Sequence, residues 1–173
     1  KIVNPKVVRI QPLEGDPDDY IAIESQDGFR CTITVTCAAT ALGIVKEGDF
    51  SYGNVESCKK AIGALAKELN MSVEECATGI LDDAANTCIA VIEELAEKHK
   101  VERDQITLVG GGGGATALLP FTAKKMNLPY KIAENAEVIS SIGVALAMVR
   151  DVVERVIPNP TPQDLAEIRT EAT

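Results

Sequence analysis

A run of five glycines is the feature of this sequence that most strongly indicates a functional site. It follows the short apolar stretch 106–109 and precedes a segment of helical periodicity that begins at Ala115. A glycine inside a regular element costs roughly 0.5–1 kcal/mol relative to alanine, so five together require a conformational or steric reason. A strand-to-helix turn presents backbone N–H groups and the positive end of the helix dipole, and both favour an anion. The candidate nucleotide-binding residues are therefore Gly110, Gly111, Gly112, Gly113, Gly114 and Thr116.

Of two known phosphate-binding motifs, this run matches the dinucleotide-binding pattern but not the P-loop. A P-loop requires Lys followed by Ser or Thr after its last glycine, whereas alanine and threonine follow here, so this motif is rejected. Gly110, Gly112 and Ala115 satisfy the dinucleotide-binding pattern G-x-G-x-x-A. Glu134 follows at about the ~20-residue distance of the ribose-binding carboxylate, so an NAD-binding Rossmann-like domain stays open. A purely structural turn, which lets the following helix pack tightly on its strand, also stays open.

The charge balance argues against nucleic acid as a partner. Lys and Arg total 17 and Asp and Glu total 26, which gives a formal net charge of −9. Such a surface repels a phosphate backbone and supplies no basic stripe for counterion release. Charged residues interrupt every apolar stretch well before the ~20 residues that a membrane-spanning helix needs, so no membrane association is expected. A small-molecule substrate is the expected ligand, and a homo-oligomer stays open.

Cysteine and histidine usage excludes several kinds of site. The five cysteines have irregular spacings and no C-x-x-C pair, which is typical of reduced thiols in a cytoplasmic protein. His99 is the only histidine, and its charged surroundings indicate the exposed end of a helix. Zinc sites, Ser-His-Asp triads and Cys-His pairs therefore lack the residues they need. The sequence predicts no metal site and identifies no catalytic residue.

The first third of the chain is predicted to be extended. Residues 6–10 and 20–24 are short alternating or apolar runs, and the β-branched run 29–36 follows a turn signal. These patterns predict a hairpin over residues 20–36.

The hydrophobic period changes to that of helices at Asn54. This residue is a suitable N-cap for a helix that ends near Asn70. Ser72 and Glu75 then match a capping box. The helix they open is predicted to reach about Lys100 and, because its apolar stripe is wide, to lie at the centre of the core.

The glycine run belongs to an alternating half of the chain. A strand at 106–109, a helix at 115–126, a strand at 130–133 and a long apolar helix at 138–156 predict two parallel strands joined by a crossover. The predicted regions are an extended one at 1–50, an α/β lobe at 51–157 and a Pro-rich acidic tail at 158–173, which is expected to pack loosely.

Three segments of the sequence are similar to one known protein family. They are L-V-G-G-G-G-G-A at 108–115, N-A-E-V-I-S-S-I-G-V-A-L-A at 135–147, and S-V-E-E-C-A-T-G-I-L at 72–81. Together they resemble the C-terminal part of the hydantoinase A/oxoprolinase family. The similarity extends over roughly residues 34–150, and the first two segments are more specific together than alone.

This resemblance implies a fold and a cofactor. Family members belong to the actin-like ATPase superfamily, in which two lobes close on ATP. The implied fold class is α/β, a partial actin-like ATPase (ribonuclease H-like) lobe with long helices and a short mixed sheet. The glycine run would be the adenosine-side turn, with Lys59 and Lys60 as neighbours of the adenine or ribose. The superfamily's D-x-G-[GT] turns are absent here, which implies that Mg²⁺ is held outside this chain.

The resemblance also implies a function. The family uses ATP to open five-membered cyclic amides of the hydantoin or 5-oxoproline type, and related members drive carboxylation. This chain would be one part of such a hydrolase, inactive by itself, with the remainder of a longer chain or a second subunit as its partner. Lys1, where an initiator Met is expected, agrees with that interpretation. The alternative is a non-catalytic nucleotide-binding or enzyme-reactivating module of the same superfamily.

Overall fold

The computed structural model describes residues 1–147, 152 and 154–171. The chain forms two compact units, Lys1–Ser140 and Ser141–Thr173. The first unit contains the glycine run and all the strands of the described residues.

Three short strands form an antiparallel sheet at the start of the first unit. They are β1 (Lys6–Ile10), β2 (Tyr20–Glu24) and β3 (Arg30–Cys31), in the order β1-β2-β3. Glu24 joins the three strands, because its carboxylate pairs with Lys6 Nζ at 2.8 Å and with Arg30 Nε at 2.7 Å. These two cations hold the pKa of Glu24 below its usual range. The predicted strands at 6–10 and 20–24 are confirmed.

The predicted extension of the hairpin to residue 36 is wrong, because a helix begins before that point. This helix, α1 (Val35–Ala41), is capped by Thr34, whose side-chain oxygen accepts from the Cys37 N–H at 3.3 Å. The β-branched run 32–36 favours a strand locally, but burial of the small residues that follow stabilises a helix instead. A seven-residue helix is also too short to show a clear period.

Two longer helices follow near the predicted boundaries. α2 (Val55–Glu68) is capped by Asn54, whose side chain accepts an N–H of the first turn at 2.8 Å. α3 (Val73–His99) begins with the predicted capping box. Ser72 Oγ accepts from the Glu75 N–H at 3.1 Å, and the Glu75 carboxylate accepts from the Ser72 N–H at 2.8 Å. The N-cap and the capping box are therefore confirmed.

The fully buried residues of α3 lie in its first half, and in its second half Ile89 and Ile92 are partly buried against Leu108, Ala123 and Met126. Further along the same apolar stripe, Val91 and Leu95 are about half exposed. The prediction that this helix is central to the core is therefore confirmed for its first half, whereas its second half contacts the core through partly buried residues only. The buried residues of α3 are Cys76, Ala77, Leu81 and Ala85.

Gly79 tests how backbone entropy limits the stability of α3. It is exposed inside the helix, and a Cβ there would meet no atom within 4 Å. We expect Gly79→Ala to raise the free energy of unfolding by about 0.5–1 kcal/mol, because alanine loses less backbone entropy than glycine. Urea unfolding followed by circular dichroism measures the change. Gly28→Ala is the matched control and should destabilise, since Gly28 has φ +82°; a loss of stability in Gly79→Ala would contradict the expectation.

The glycine run lies between a strand and a helix, as predicted. β4 (Leu108–Gly110) precedes it, α4 (Ala115–Met126) follows it, and β5 (Tyr130–Ile132) pairs in parallel with β4. The parallel pair and its helical crossover are therefore confirmed. The predicted mixed sheet is wrong, because the described strands form one antiparallel and one parallel sheet.

Two clusters of buried side chains meet along α4. Ala117, near its start, packs with residues of α1, α2 and the first half of α3. Ala123 and Met126, near its end, pack with Leu108 of β4. The larger cluster therefore holds the N-terminus of α4, and with it the glycine turn.

The chain after β5 contains two further helices. They are α5 (Ile139–Leu146) and α6 (Pro162–Glu171). The predicted long helix at 138–156 is confirmed only in the part that α5 covers. Residues 148–151 and 153 lie outside the described residues, and 154–157 are not helical.

The predicted loosely packed tail contains a capped helix. The N–H and hydroxyl of Thr161 donate to the Asp164 carboxylate at 2.7 and 2.6 Å, which caps the start of α6. Arg155 pairs with Glu171 at 2.5 Å. Among the helices of the described residues, none has the length and apolar character to cross a membrane.

Candidate functional site

A cavity of about 320 Å³ opens at the glycine turn. Three segments line it: the loop before α2, the turn with the start of α4, and the stretch after β5. Its volume is near the lower end of the ~300–1,000 Å³ typical of small-molecule sites, which matches a nucleoside better than a whole nucleoside triphosphate. The lining includes Asp49, Phe50, Gly112, Gly113, Thr116 and Glu137.

Close packing explains the first two glycines of the run. A Cβ on Gly110 would lie 2.7 Å from Leu119 Cδ2 and 3.1 Å from Ala115 Cβ. A Cβ on Gly111 would lie 2.9 Å from Ile139 Cγ2. These distances leave no room for a side chain, so the two positions allow α4 and the first residue of α5 to approach the turn.

Backbone conformation and an aromatic neighbour explain the next two glycines. Gly112 has φ +94°, and its N–H donates to the Ala136 carbonyl at 2.6 Å. A Cβ on Gly113 would lie 2.6 Å from Cδ1 of Phe50. The Gly112 N–H is therefore used within the fold, and a larger residue at this position would strain the backbone with or without a ligand.

Gly114 differs from the other four, because the described residues give no reason for a glycine there. Its φ is −97°, and a Cβ would meet no atom within 4 Å. It is the N-cap of α4, and no side chain caps that helix. Within the described part of the chain, the N–H groups of Gly113, Gly114 and Thr116 donate no hydrogen bond. They lie at the positive end of the α4 dipole, which is where a helix binds an anion.

The loop before α2 is attached to the start of α4. Ser51 Oγ lies 3.0 Å from Thr116 Oγ1, so the two hydroxyls are hydrogen-bonded. Phe50 is 77 % exposed although its ring packs on the glycine turn. Asp49 and Phe50 belong to the region predicted to be extended and Ser51 to the predicted α/β lobe, and the signal in the sequence was an aromatic residue two positions after Gly48 in a polar segment.

The charged side chains in the cavity wall are carboxylates. Asp49 accepts from the Lys46 N–H at 2.8 Å through one oxygen, and Glu137 is exposed. None of the described lysines and arginines lines the cavity. Carboxylates accept hydrogen bonds from hydroxyl groups and repel phosphates, so these walls suit a sugar. The N–H groups at Gly113 and Gly114 suit a phosphate.

The described residues form no metal centre, and the Cys58 thiol is not suited to be a nucleophile. They contain no group of three or more His, Cys, Asp or Glu side chains able to hold a metal ion. All five cysteines are free, as predicted. Burial, and then Cys37 and Cys31, raise the pKa of the Cys58 thiol to about 11. At neutral pH this thiol is protonated and therefore a poor nucleophile.

The two candidate lysines do not line the cavity. Lys60 Nζ pairs with Glu56 at 2.8 Å on α2. Lys59 lines a different hollow, together with Thr40 and Tyr52. Their expected roles as neighbours of adenine or ribose stay predictions.

The residues of the dinucleotide-binding pattern are also separated. Gly112 lines the polar cavity, whereas Gly110 borders an apolar hollow of about 600 Å³ lined by α3 and α4. Glu134 is exposed and lines neither space. The NAD-binding alternative therefore has no single site that contains all its residues.

Comparison with known protein families identifies a match over most of the chain. A family model described as hydantoinase/oxoprolinase matches residues 10–153, which is well over half of the chain. No curated protein and no solved structure matches it.

Proposed function

The chain belongs to the hydantoinase/oxoprolinase family, and from this premise we propose that it supplies the adenosine-side lobe of an ATP-dependent enzyme. At the level of the family, the suggested activity is hydrolysis of cyclic amides. We also propose that the activity depends on ATP, and that a partner supplies the parts of the enzyme that this chain lacks.

One observation carries the proposed role. Two of the three residues whose N–H groups have no acceptor in the described part of the chain, Gly113 and Thr116, line a cavity whose charged walls are carboxylates, and the third, Gly114, lies between them and borders the apolar hollow. A nucleotide has the complementary pattern, because its phosphates accept hydrogen bonds and its ribose hydroxyls donate them. In the proposed complex, Gly113, Gly114 and Thr116 bind phosphate oxygens, and Asp49 and Glu137 accept from the ribose.

The proposed fold is one lobe of an actin-like ATPase. The parallel pair β4–β5, joined by α4 with a glycine turn at its N-terminus, supports it. The small sheets suit a partial domain. The second lobe and the ligands of Mg²⁺ then come from the remainder of a longer chain or from a second subunit.

The chain's residues bind and orient the nucleotide in this proposal. When bound, ATP supplies a phosphoryl group that activates the amide oxygen of a cyclic substrate for attack by water. The free N–H groups stabilise phosphate charge without a lysine. The hydrogen bond between Ser51 and Thr116 fixes the loop, and the exposed ring of Phe50 offers the base a stacking surface.

Gly114→Asp and Gly114→Asn form a matched pair that tests this role. Both side chains cap α4 and have similar size, but only aspartate places a negative charge beside the phosphate. The unsubstituted chain should bind ATP with a dissociation constant in the high micromolar range or weaker, about −5 kcal/mol, because it lacks the opposing lobe. We expect aspartate to weaken binding at least about tenfold more than asparagine, a difference of about 1.4 kcal/mol. NMR titration with ATP, ADP and NAD measures these affinities.

Three outcomes would count against the proposal in different ways. Equal ATP affinity in the two Gly114 variants would contradict an anion site at this turn. NAD binding that is tighter than ATP binding and is lost in Glu134→Ala would favour the Rossmann-like alternative. ATP binding without turnover in the full-length protein would favour the enzyme-reactivating module.

A further inference from the structure

Three of the five thiols lie close together. Cys31 ends β3, Cys37 is on α1 and Cys58 is on α2. Burial, then the charge of Cys37 and a hydrogen bond between the two side chains, and then the charge of Cys31 raise the pKa of Cys58. Burial alone raises the pKa of Cys76, so no other thiol lies beside that residue. Cys37 and Cys58 are therefore in contact, with Cys31 nearby.

The packing of α2 on α1 independently places Cys37 and Cys58 side by side. A Cβ on Gly53, just before α2, would lie 3.5 Å from Cys58 Sγ and 3.8 Å from Thr40 Oγ1. Cys58 is therefore beside the face of α1 that carries Thr40. Cys37 precedes Thr40 by three residues, and residues at this spacing are neighbours on one face of a helix.

The two thiols differ in their access to solvent. Cys58 is 9 % exposed, whereas Cys37 is only partly buried. Cys37 Sγ lies 3.3 Å from Thr34 Oγ1, at the start of α1. A small reagent can therefore reach Cys37 first. An accessible thiol with a second thiol beside it is the arrangement that thiol–disulfide exchange requires.

We propose that Cys37 and Cys58 are a modification site, at which a low-molecular-weight disulfide oxidises the two thiols to an intramolecular disulfide. Cys37 gives its proton to solvent, and its sulfur attacks one sulfur of the small disulfide. The S–S bond of that molecule breaks, and its other half leaves as a thiolate that takes up a proton. A mixed disulfide on Cys37 remains.

The second exchange closes the bridge. Cys58 gives its proton to solvent and attacks the Cys37 sulfur of the mixed disulfide, so a second small thiolate leaves and takes up a proton. The protein loses two hydrogen atoms, and two electrons reduce the small disulfide to two thiols. Cys58 is a poor nucleophile toward a molecule in solution, but here its target is the adjacent sulfur. This proximity offsets its small thiolate fraction.

The bridge would close the segment 38–57. This segment contains Asp49 and Phe50, which line the cavity at the glycine turn. A cross-link that closes a loop of roughly 20 residues restricts the unfolded chain, so we expect the oxidised protein to melt about 5 °C or more above the reduced protein. The proposal does not require ATP, so it can fail while the nucleotide site stands, and the reverse.

Oxidised glutathione is a suitable probe for the test. The reduced chain is incubated with it at pH 8.5, the remaining thiols are alkylated, and peptides are analysed by mass spectrometry without reduction. We expect a disulfide between Cys37 and Cys58, and none that includes Cys76 or Cys88. Cys31→Ser should keep this bridge, because Cys31 takes no part in either exchange.

Cys37→Ser is the variant that removes the bridge with the smaller risk to the fold, because Cys37 is less buried than Cys58. It should keep the circular dichroism spectrum of the reduced protein and lose the rise in melting temperature on oxidation. Mixed disulfides without a bridge, a bridge that includes Cys31, or a bridge that lowers the melting temperature would each overturn the proposal.

Discussion

Replacing Leu81 by alanine should lower the free energy of unfolding by about 3–4 kcal/mol. Leu81 is fully buried in the first half of α3, within the cluster that also contains Val45 and Ile62. The substitution removes the burial of three carbon atoms and leaves a cavity that α1 and α2 can fill only in part. Urea denaturation, monitored by circular dichroism, gives the change.

Leu95→Ala is the matched control on the same helix. Leu95 lies on the same apolar stripe, but it is 49 % exposed. Its truncation should cost less than about 1 kcal/mol, because little area is returned to water and no closed cavity forms. If the two substitutions lowered the free energy of unfolding equally, the second half of α3 would be buried in solution and not peripheral to the core, which would contradict the expectation.

We expect Gly110→Val to cost about 3 kcal/mol of stability. A Cβ at this position would lie 2.7 Å from Leu119 Cδ2, 3.1 Å from Ala115 Cβ and 3.3 Å from Ile132 Cδ1. Leu119 can rotate away, but Ala115 is fixed on the first turn of α4 and Ile132 on β5. The added side chain would therefore separate α4 from the parallel strands, which is the overpacking that destabilises cores.

Gly114→Val is the control for this substitution. It adds the same side chain four residues later, where the backbone has φ −97° and a Cβ meets no atom within 4 Å. We expect a cost of about 1 kcal/mol or less, from the lost N-cap preference for glycine over an apolar residue. Thermal unfolding of the two variants, measured side by side, compares their losses of stability. A larger loss in Gly114→Val would show that this glycine also serves packing.

Local hydrogen bonds explain why parts of the fold could be predicted. The N-cap at Asn54 and the capping box of Ser72 and Glu75 join groups three residues apart, so the sequence contains both partners. α4 also has the predicted boundaries, because a glycine run and the Asn127 C-cap enclose it. α1 was missed, since its stability depends on burying three small residues against helices from later in the chain.

The sequence by itself determined that residues 110–114 form a turn with unusual steric demands between a strand and a helix. It also predicts an anion as the ligand of such a turn, because free N–H groups and a helix dipole are local properties of the backbone. Only the tertiary structure decided which glycine meets which demand. Phe50 comes to Gly113 from more than 60 positions earlier in the chain, and Ile139 to Gly111 from the start of α5. Contacts between residues so far apart depend on how the helices pack, and neither residue type nor local spacing encodes that packing.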